Sequence, residues 1–240
     1  MMKNEWVKPV PLIIAVAMLG ITSITEGGSE HAPDFHVVSA DRQDAIWREF
    51  ETARRGVSNF VAEVVQTKTL KILQQPIVSE AKLSFAKPNL FRWESTKPAG
   101  SLTVSDGKWL WMYYAEFQQA ERYPLNDPRL GASPMKALSA SLGANPVSLT
   151  NSCELIVWES AETLRIEAVP RAQKERQLLA RLVLDLDRKT FLLLRTVIEA
   201  PNGDRTENRF QRVEWNQPLD VSRFRFEPPA EVRIVSPFGK

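Results

Sequence analysis

The sequence Leu102-Thr-Val-Ser-Asp-Gly-Lys-Trp-Leu-Trp-Met-Tyr-Tyr114 decides the fold class of this protein. Its two halves flank Asp106-Gly107, a dipeptide typical of two-residue hairpin loops because type I′ turns require positive φ. Alternation along the second half places Trp109, Trp111 and Tyr113 on one face of a strand. The segment therefore predicts an antiparallel β-hairpin with an aromatic face.

Outward from this hairpin, apolar residues continue to alternate in short runs that predict further strands. Before the hairpin, the strands are predicted near 60–64 and over 77–85 and 90–95; after it, over 117–123, 153–158, 163–169, 178–185, 191–199 and 205–214. Residues 41–57 have helical spacing instead and predict an amphipathic helix. Strands do not alternate with helices, which disfavours a parallel α/β fold. The sequence predicts a mainly β protein of about ten or eleven strands in meander order.

Composition excludes several classes of protein. The chain has 240 residues, 43% of them hydrophobic and 25% charged, which argues against disordered and fibrous proteins. Its 31 basic and 29 acidic residues form no block of like charge, so no nucleic-acid partner is predicted. Cys153 is the only cysteine, which excludes an intrachain disulfide and a thiolate zinc cluster; we interpret it as a small buried hydrophobe.

No catalytic signature is present in the sequence. His31 and His36 are the only histidines and precede the predicted sheet, so the core lacks a histidine base or ligand. Nucleophile elbow, P-loop, dinucleotide and zinc motifs are absent. Carboxylates such as Asp185 with Asp187, or Glu159 with Glu162, could pair in space, but acidic residues at strand ends are usually solvated. We predict no enzymatic activity, no cofactor and no metal.

The N-terminus has the pattern of an export signal. Lys3 and Lys8 precede a run of about a dozen apolar residues that ends at Ile21, which is too short to span a bilayer comfortably. We predict a signal peptide over 1–27, although no A-x-A cleavage site is evident, and a polar tether over 28–40. A retained membrane anchor is the alternative. No cysteine follows the run, so a lipid-anchored protein is not predicted.

Aromatic residues concentrate on adjacent predicted strands and suggest a functional face. Two interpretations fit them: a packed core, or an apolar cavity for a hydrophobic ligand. Periodicity does not distinguish a filled interior from a hollow one, and a filled interior would contradict a cavity. The residues concerned are Phe85, Phe91, Trp93, Trp109, Trp111 and Tyr113.

Three ordered motifs resemble the LolA family of periplasmic lipoprotein carriers. They are Lys87-Pro-Asn-Leu-Phe-Arg-Trp-Glu94, Val104-Ser-Asp-Gly-Lys-Trp-Leu-Trp-Met-Tyr113 with Gln118-Gln119-Ala120, and Asp220-Val-Ser-Arg-Phe-Arg-Phe-Glu-Pro-Pro-Ala-Glu-Val232. Val64-Val-Gln66 is similar to the family's early strand motif, with Val64 in place of an aromatic residue. The resemblance covers residues 41–235 and assigns 41–240 to one carrier domain.

The resemblance implies an unclosed antiparallel β-barrel of about eleven strands with an N-terminal helix, short lid helices and an apolar cavity. It implies a monomer in the periplasm that takes acylated lipoproteins from an inner-membrane ABC-type exporter to an outer-membrane acceptor. Two alternatives stay open: an RseB-like lipid-sensing regulator, or a carrier of another lipid on the same scaffold. A periplasmic hydrolase ranks last because a base is lacking.

The resemblance also implies roles for individual residues. Phe85, Phe91, Trp93, Trp109 and Trp111 would line the cavity. Met135 and Leu138 would lie on a lid helix, which Ser133 caps, Pro134 begins and Gly143 ends. Lys87 takes the place of an arginine that contacts the lid in the family, and lysine lacks the planar guanidinium fork. The other interpretation of Lys87 is a solvated lysine at a strand end.

Overall fold

The computed structural model of the protein describes residues 34–127 and 146–237. The predicted signal peptide, residues 28–33 of the predicted tether and the predicted lid helix with Met135 and Leu138 lie outside these ranges. Within them, no helix is long and apolar enough to cross a membrane.

Strands dominate the described residues. Helix α1 spans Ala40–Arg54, the one-turn helix α2 spans Gln173–Arg176, and 3₁₀ turns occupy Ala115–Phe117, Pro146–Asn151 and Val221–Phe224. The strands are β1 His36–Val37, β2 Asn59–Thr69, β3 Ile77–Ala86, β4 Leu90–Lys97, β5 Ala99–Asp106, β6 Trp109–Tyr114, β7 Gln119–Pro124, β8 Cys153–Glu159, β9 Thr163–Pro170, β10 Arg181–Asp187, β11 Leu193–Glu199, β12 Arg205–Trp215 and β13 Arg233–Val235.

All thirteen strands found in the described residues join one open sheet in the order β1-β8-β9-β10-β11-β12-β2-β3-β4-β5-β6-β7-β13. Neighbours are antiparallel except β13, which runs parallel to β7. The predicted unclosed antiparallel sheet with an N-terminal helix is thereby confirmed. The strand number exceeds the prediction because β1 and β13 have only two and three residues, too few to show alternation.

The turn between β5 and β6 differs from the predicted type I′ geometry. Of Asp106 and Gly107, only Gly107 has positive φ, at 90°. Asp106 instead uses its carboxylate, which accepts hydrogen bonds from the amides of Lys108 at 2.8 Å and Trp109 at 2.7 Å. The dipeptide does mark the hairpin, but its aspartate acts as a local cap of the turn.

One face of the sheet packs on α1, and we call it the helix-side face. Alternation along the strands places the apolar residues of the main core on this face, together with Ile46, Trp47 and Phe50 of the helix. On β2, β3 and β4 these residues are Phe60, Ala62, Val64, Ala81, Leu83, Phe85, Phe91 and Trp93. The opposite face is the outer face.

The start of α1 is set by Ser39, whose hydroxyl accepts a hydrogen bond from the Arg42 amide. Charged side chains then fix the helix to strand β8 and to the turn after β10. Arg42 binds both oxygens of Glu159 on β8, at 3.0 and 2.7 Å. Arg188, which follows β10, pairs with Glu159 and with Glu49 of the helix. The Arg42 guanidinium, followed by Arg188, lowers the pKa of Glu159 to about 2 against the opposing effect of burial.

The sequence suggested that Asp185 is a solvated carboxylate, but the structure shows that it is not. It is buried on the outer face, where Arg165 of β9 and Arg195 of β11 lie directly opposite it. The Arg165 Nε and Arg195 Nε donate to its two oxygens at 2.7 and 2.8 Å. Asp187, in contrast, caps the turn after β10 through the amide of Thr190 at 2.7 Å. Cross-strand pairing supplies these partners, and pairing is not visible in the local sequence.

Removing the Phe50 ring should destabilise the protein. Phe50 is buried and contacts Phe191 edge-to-face at 5.6 Å. We expect Phe50→Ala to lower the free energy of unfolding by about 3–5 kcal/mol, because transfer and cavity terms add. Urea denaturation measures this loss. Arg48→Ala, on the exposed side of the same helix, is the control and should change stability by less than about 0.5 kcal/mol. Equal effects of the two substitutions would contradict the packing of α1.

The Glu159 ion pairs should make stability depend on acid pH. Since its pKa is lowered on folding, its contribution is complete above the unfolded value near 4.5 and is lost as pH falls toward 2. We expect Glu159→Gln to lower the free energy of unfolding by about 2 kcal/mol at pH 6. The decrease should be smaller at pH 3. Glu80→Gln, which removes an exposed pair with Lys97, should have little effect at either pH. A Glu159→Gln deficit that stays the same between pH 6 and pH 3 would refute this account.

Candidate functional site

The helix-side face of β4 to β7 is the candidate site. Strand register aligns side chains here in two rows across the four strands. One row is Phe91, Ser105, Leu110 and Tyr123; the next is Trp93, Thr103, Met112 and Glu121. Large side chains therefore stand on both sides of the small residues contributed by β5.

We call Ser101, Thr103 and Ser105 the β5 strip. The Ser101 hydroxyl donates to the Ser95 hydroxyl at 2.7 Å, and the Ser105 hydroxyl donates to the Asn89 carbonyl at 2.8 Å. These bonds satisfy the hydroxyls of Ser101 and Ser105 within the protein, which lowers the polarity of the strip. Ser105 is buried, whereas Ser101 and Thr103 keep part of their surface accessible. The strip is a shallow surface of low polarity between the bulkier side chains of β4 and β6.

Beyond the strip, Leu110 and Met112 form a second apolar cluster that is separate from the main core. Tyr114, Tyr123 and Leu125 pack against it. The Tyr123 hydroxyl donates to Glu121 at 2.6 Å. Burial, assisted by the Glu121 charge, raises the pKa of Tyr114 to about 12 and also raises that of Tyr123. Both phenols are therefore neutral at physiological pH, and their rings extend the apolar surface.

Three of the five predicted cavity residues in the described ranges lie together on the helix-side face. Phe85, Phe91 and Trp93 are 5%, 2% and 7% exposed and belong to the main core cluster. Phe85 stacks on Phe60 with ring centroids 5.4 Å apart. These aromatic residues thus pack against the protein's own side chains and form one border of the β5 strip.

Trp109 and Trp111 lie on the outer face, which corrects the expectation that they share a surface with Phe91 and Trp93. Because Thr103 pairs with Met112, the neighbouring Trp111 must point the other way. The Arg122 guanidinium lies 4.5 Å from the Trp109 ring centroid and 5.5 Å from that of Trp111.

The outer aromatic residues have a structural partner in the C-terminal segment. Phe226 contacts Trp111 at 5.6 Å and Tyr113 at 5.3 Å between ring centroids. Phe224 is buried, and the Arg92 guanidinium donates to the Arg223 carbonyl at 3.1 Å. The segment packs against β4 and β5 and explains why β6 is apolar on both faces.

Lys87 is exposed in the turn between β3 and β4, and its amide donates to the Ser58 carbonyl at 2.9 Å. Its predicted partner, the lid helix, lies outside the described residues, so the role of Lys87 stays a prediction. The sequence reasoning missed Leu110, Met112, Tyr114 and Tyr123 as site residues. Their alternation was a usable signal, but the tryptophans on the other face of β6 obscured it.

Metal binding finds no support in the described ranges, where no group of three histidine, cysteine or acidic side chains could hold an ion. Cys153 is buried and free, and burial raises the pKa of its thiol. This agrees with its interpretation as a small hydrophobe.

Comparison with known proteins identifies the family. The family profile described as "Outer membrane lipoprotein carrier protein LolA" matches residues 55–227, which is well over half of the chain. This protein belongs to the LolA family. The resemblance stated from the sequence motifs is thereby confirmed.

Two relatives matched by sequence agree with this assignment. An outer-membrane lipoprotein carrier protein of Nitrosomonas europaea is 30% identical over 176 residues, covering 73% of this chain and 82% of the relative. One from Chromobacterium violaceum is 29% identical over 189 residues, covering 75% and 82%. Among solved structures, a LolA superfamily protein from Nitrosomonas europaea aligns with a TM-score of 0.42 at 8% identity, covering 76% of this chain and 97% of that one.

Proposed function

We propose that this LolA family member is a periplasmic carrier that shelters the acyl chains of lipoproteins and ferries them from the inner to the outer membrane. Its family membership carries this proposal, since the matched relatives are named outer-membrane lipoprotein carrier proteins. An inner-membrane ABC-type exporter as donor and an outer-membrane acceptor are part of the proposal. Transport of this kind requires no covalent chemistry and no cofactor.

The β5 strip is the proposed contact surface for an acyl chain. Its small side chains leave room above β5, while Trp93 and Phe91 on one side and Met112 and Leu110 on the other offer apolar walls. Methionine adapts to irregular aliphatic partners because its side chain is unbranched and flexible. Met135, Leu138 and Lys87 remain proposed contacts of cargo or lid on the strength of the family resemblance alone.

Energetics favour such a partial shelter over complete burial. Each buried methylene contributes about 0.8 kcal/mol, so full burial of three acyl chains would contribute on the order of tens of kcal/mol and would prevent release. The core beside the strip, on the same face, is already filled by Phe85, Phe91 and their neighbours. A chain held in the strip would be covered on one side by the sheet, which suits a carrier that must hand its cargo on.

The carrier activity is tested by native mass spectrometry of the protein purified without detergent, before and after incubation with a triacylated lipoprotein. A soluble one-to-one complex is expected. Binding of free lipid without binding of lipoprotein would indicate a carrier of another lipid. Binding of neither would contradict the proposal and favour a regulator.

Filling the β5 strip should block lipid binding. We expect Thr103→Trp to weaken binding of a fluorescent acylated peptide at least tenfold, because an indole would occupy the space between Trp93 and Met112. Leu102→Trp is the matched control, since Leu102 is the adjacent, similarly half-buried residue on the outer face. It should bind normally. Circular dichroism and thermal melts establish that both variants fold. Normal binding by a folded Thr103→Trp variant would place the lipid elsewhere.

A further inference from the structure

Lys68 is a charged residue on a side of strand β2 that is otherwise apolar or neutral. Alternation along β2 places it on the helix-side face, in line with Phe60, Ala62, Val64 and Gln66. The first three of these residues are buried in the main core. Polarity therefore increases along one face of β2 and reaches its maximum at Lys68, near the end of the strand.

Among the described residues, those paired with or diagonal to Lys68 include hydrogen-bond donors but no acidic side chain. Thr206 on β12 and Ile77 on β3 lie directly opposite it in register. Ser79 occupies the diagonal position on β3. Directly opposed side chains in antiparallel strands have Cβ atoms about 5 Å apart, and diagonal ones about 7–8 Å. The ammonium and the hydroxyls of Thr206 and Ser79 can thus converge on one small ligand.

The ammonium of Lys68 has no counterion in the described part of the chain. Neither a carboxylate ion pair nor a hydrogen bond engages it there. In contrast, Arg205 of β12 pairs with Glu207, and Lys97 of β4 pairs with Glu80. Lys68 is half-buried, and desolvation lowers the pKa of its amine. An uncompensated charge held partly away from water costs free energy that a bound anion would return.

The neighbouring polar groups already bind one another and do not compensate Lys68. The Gln66 amide donates to the Asn208 side-chain oxygen at 2.8 Å, and the Asn208 amide donates to the Thr196 hydroxyl at 2.9 Å. Asn208 and Thr196 are fully buried. This neutral ladder separates Lys68 from the apolar rows of β2 and β3. The face is thus amphipathic along its strands, with an apolar region and a cationic end.

We propose that Lys68, with Thr206 and Ser79, binds the phosphate of an acylated amphiphile whose chains extend toward the apolar rows of the same face. The inference rests on the proposed function, since it assumes that acyl chains occupy the helix-side face. It adds a substrate class, anionic phospholipids, to the lipoproteins carried. A neutral head group would leave the ammonium uncompensated, whereas a phosphate supplies both the charge and acceptors for the hydroxyls.

The test compares two fluorescent probes with identical acyl chains, a phosphatidic acid and the corresponding diacylglycerol, by equilibrium binding to the purified protein. We expect the protein to bind phosphatidic acid at least tenfold more tightly. Lys68→Met should abolish this preference while retaining diacylglycerol binding, because methionine keeps the length and removes the charge. Lys68→Arg should retain the preference. Lys82→Met is the matched control, since Lys82 is an exposed lysine on the outer face of β3.

The outcomes separate this inference from the carrier proposal. Diacylglycerol binding with no preference for phosphatidic acid, or a preference that persists in Lys68→Met, would overturn the role of Lys68 and leave the acyl-chain site intact. Failure of the unmodified protein to bind either probe would contradict both proposals. Inorganic phosphate serves as a third probe. If it bound as tightly as phosphatidic acid, the site would be one for free phosphate and the lipid assignment would be wrong.

Discussion

The helix-side face of the sheet is far wider than the helix that packs on it. Thirteen strands spaced at about 4.8 Å span roughly 58 Å, whereas the 15 residues of α1 form a rod about 22 Å long and 10 Å wide. Contacts of α1 with Glu159, Phe191 and Trp215 place it over the β8 to β12 part of the sheet. The part formed by β6 and β7 has its own apolar cluster. An open sheet with more apolar face than its own helix covers is physically suited to accept an apolar ligand.

Ion pairs, as well as apolar packing, stabilise α1 and the strands on which it packs. Arg42 and Arg188 converge on Glu159 and tie α1 to β8 and to the turn after β10. On the outer face, Asp185 and Glu207 are buried among arginines of their own and adjacent strands. These contacts lie on α1 and on strands β8 to β12, away from the β5 strip. Cargo could therefore engage β4 to β7 without disturbing the network that positions the helix.

The sequence predicted the fold well where the apolar pattern was one-sided. The strands 77–85 and 163–169 and helix 41–57 agree closely with β3, β9 and α1, because each has one apolar and one polar face. The orientation of strand β6 was harder to predict, because both of its faces are apolar. Trp109 and Trp111 lie on one face, and Leu110 and Met112 lie on the other. Only the pairing with β5 decides which face is which. Phe226, more than a hundred residues later, provides the reason for the outer aromatic residues. Lys68 drew no attention in the sequence because its partial burial, and the lack of a counterion among the described residues, depend on the pairing of β2 with β3 and with the distant β12.

The central claim is that acyl chains contact the helix-side face of β6 and not its outer face. The most direct measurement places a photo-crosslinking benzophenone amino acid at Met112 or at Tyr113, adjacent residues on opposite faces, and identifies crosslinks to an acylated lipoprotein by mass spectrometry. The account predicts crosslinks to the acyl chains from position 112 and none from position 113. Acyl crosslinks from position 113 alone, or equally from both, would contradict it.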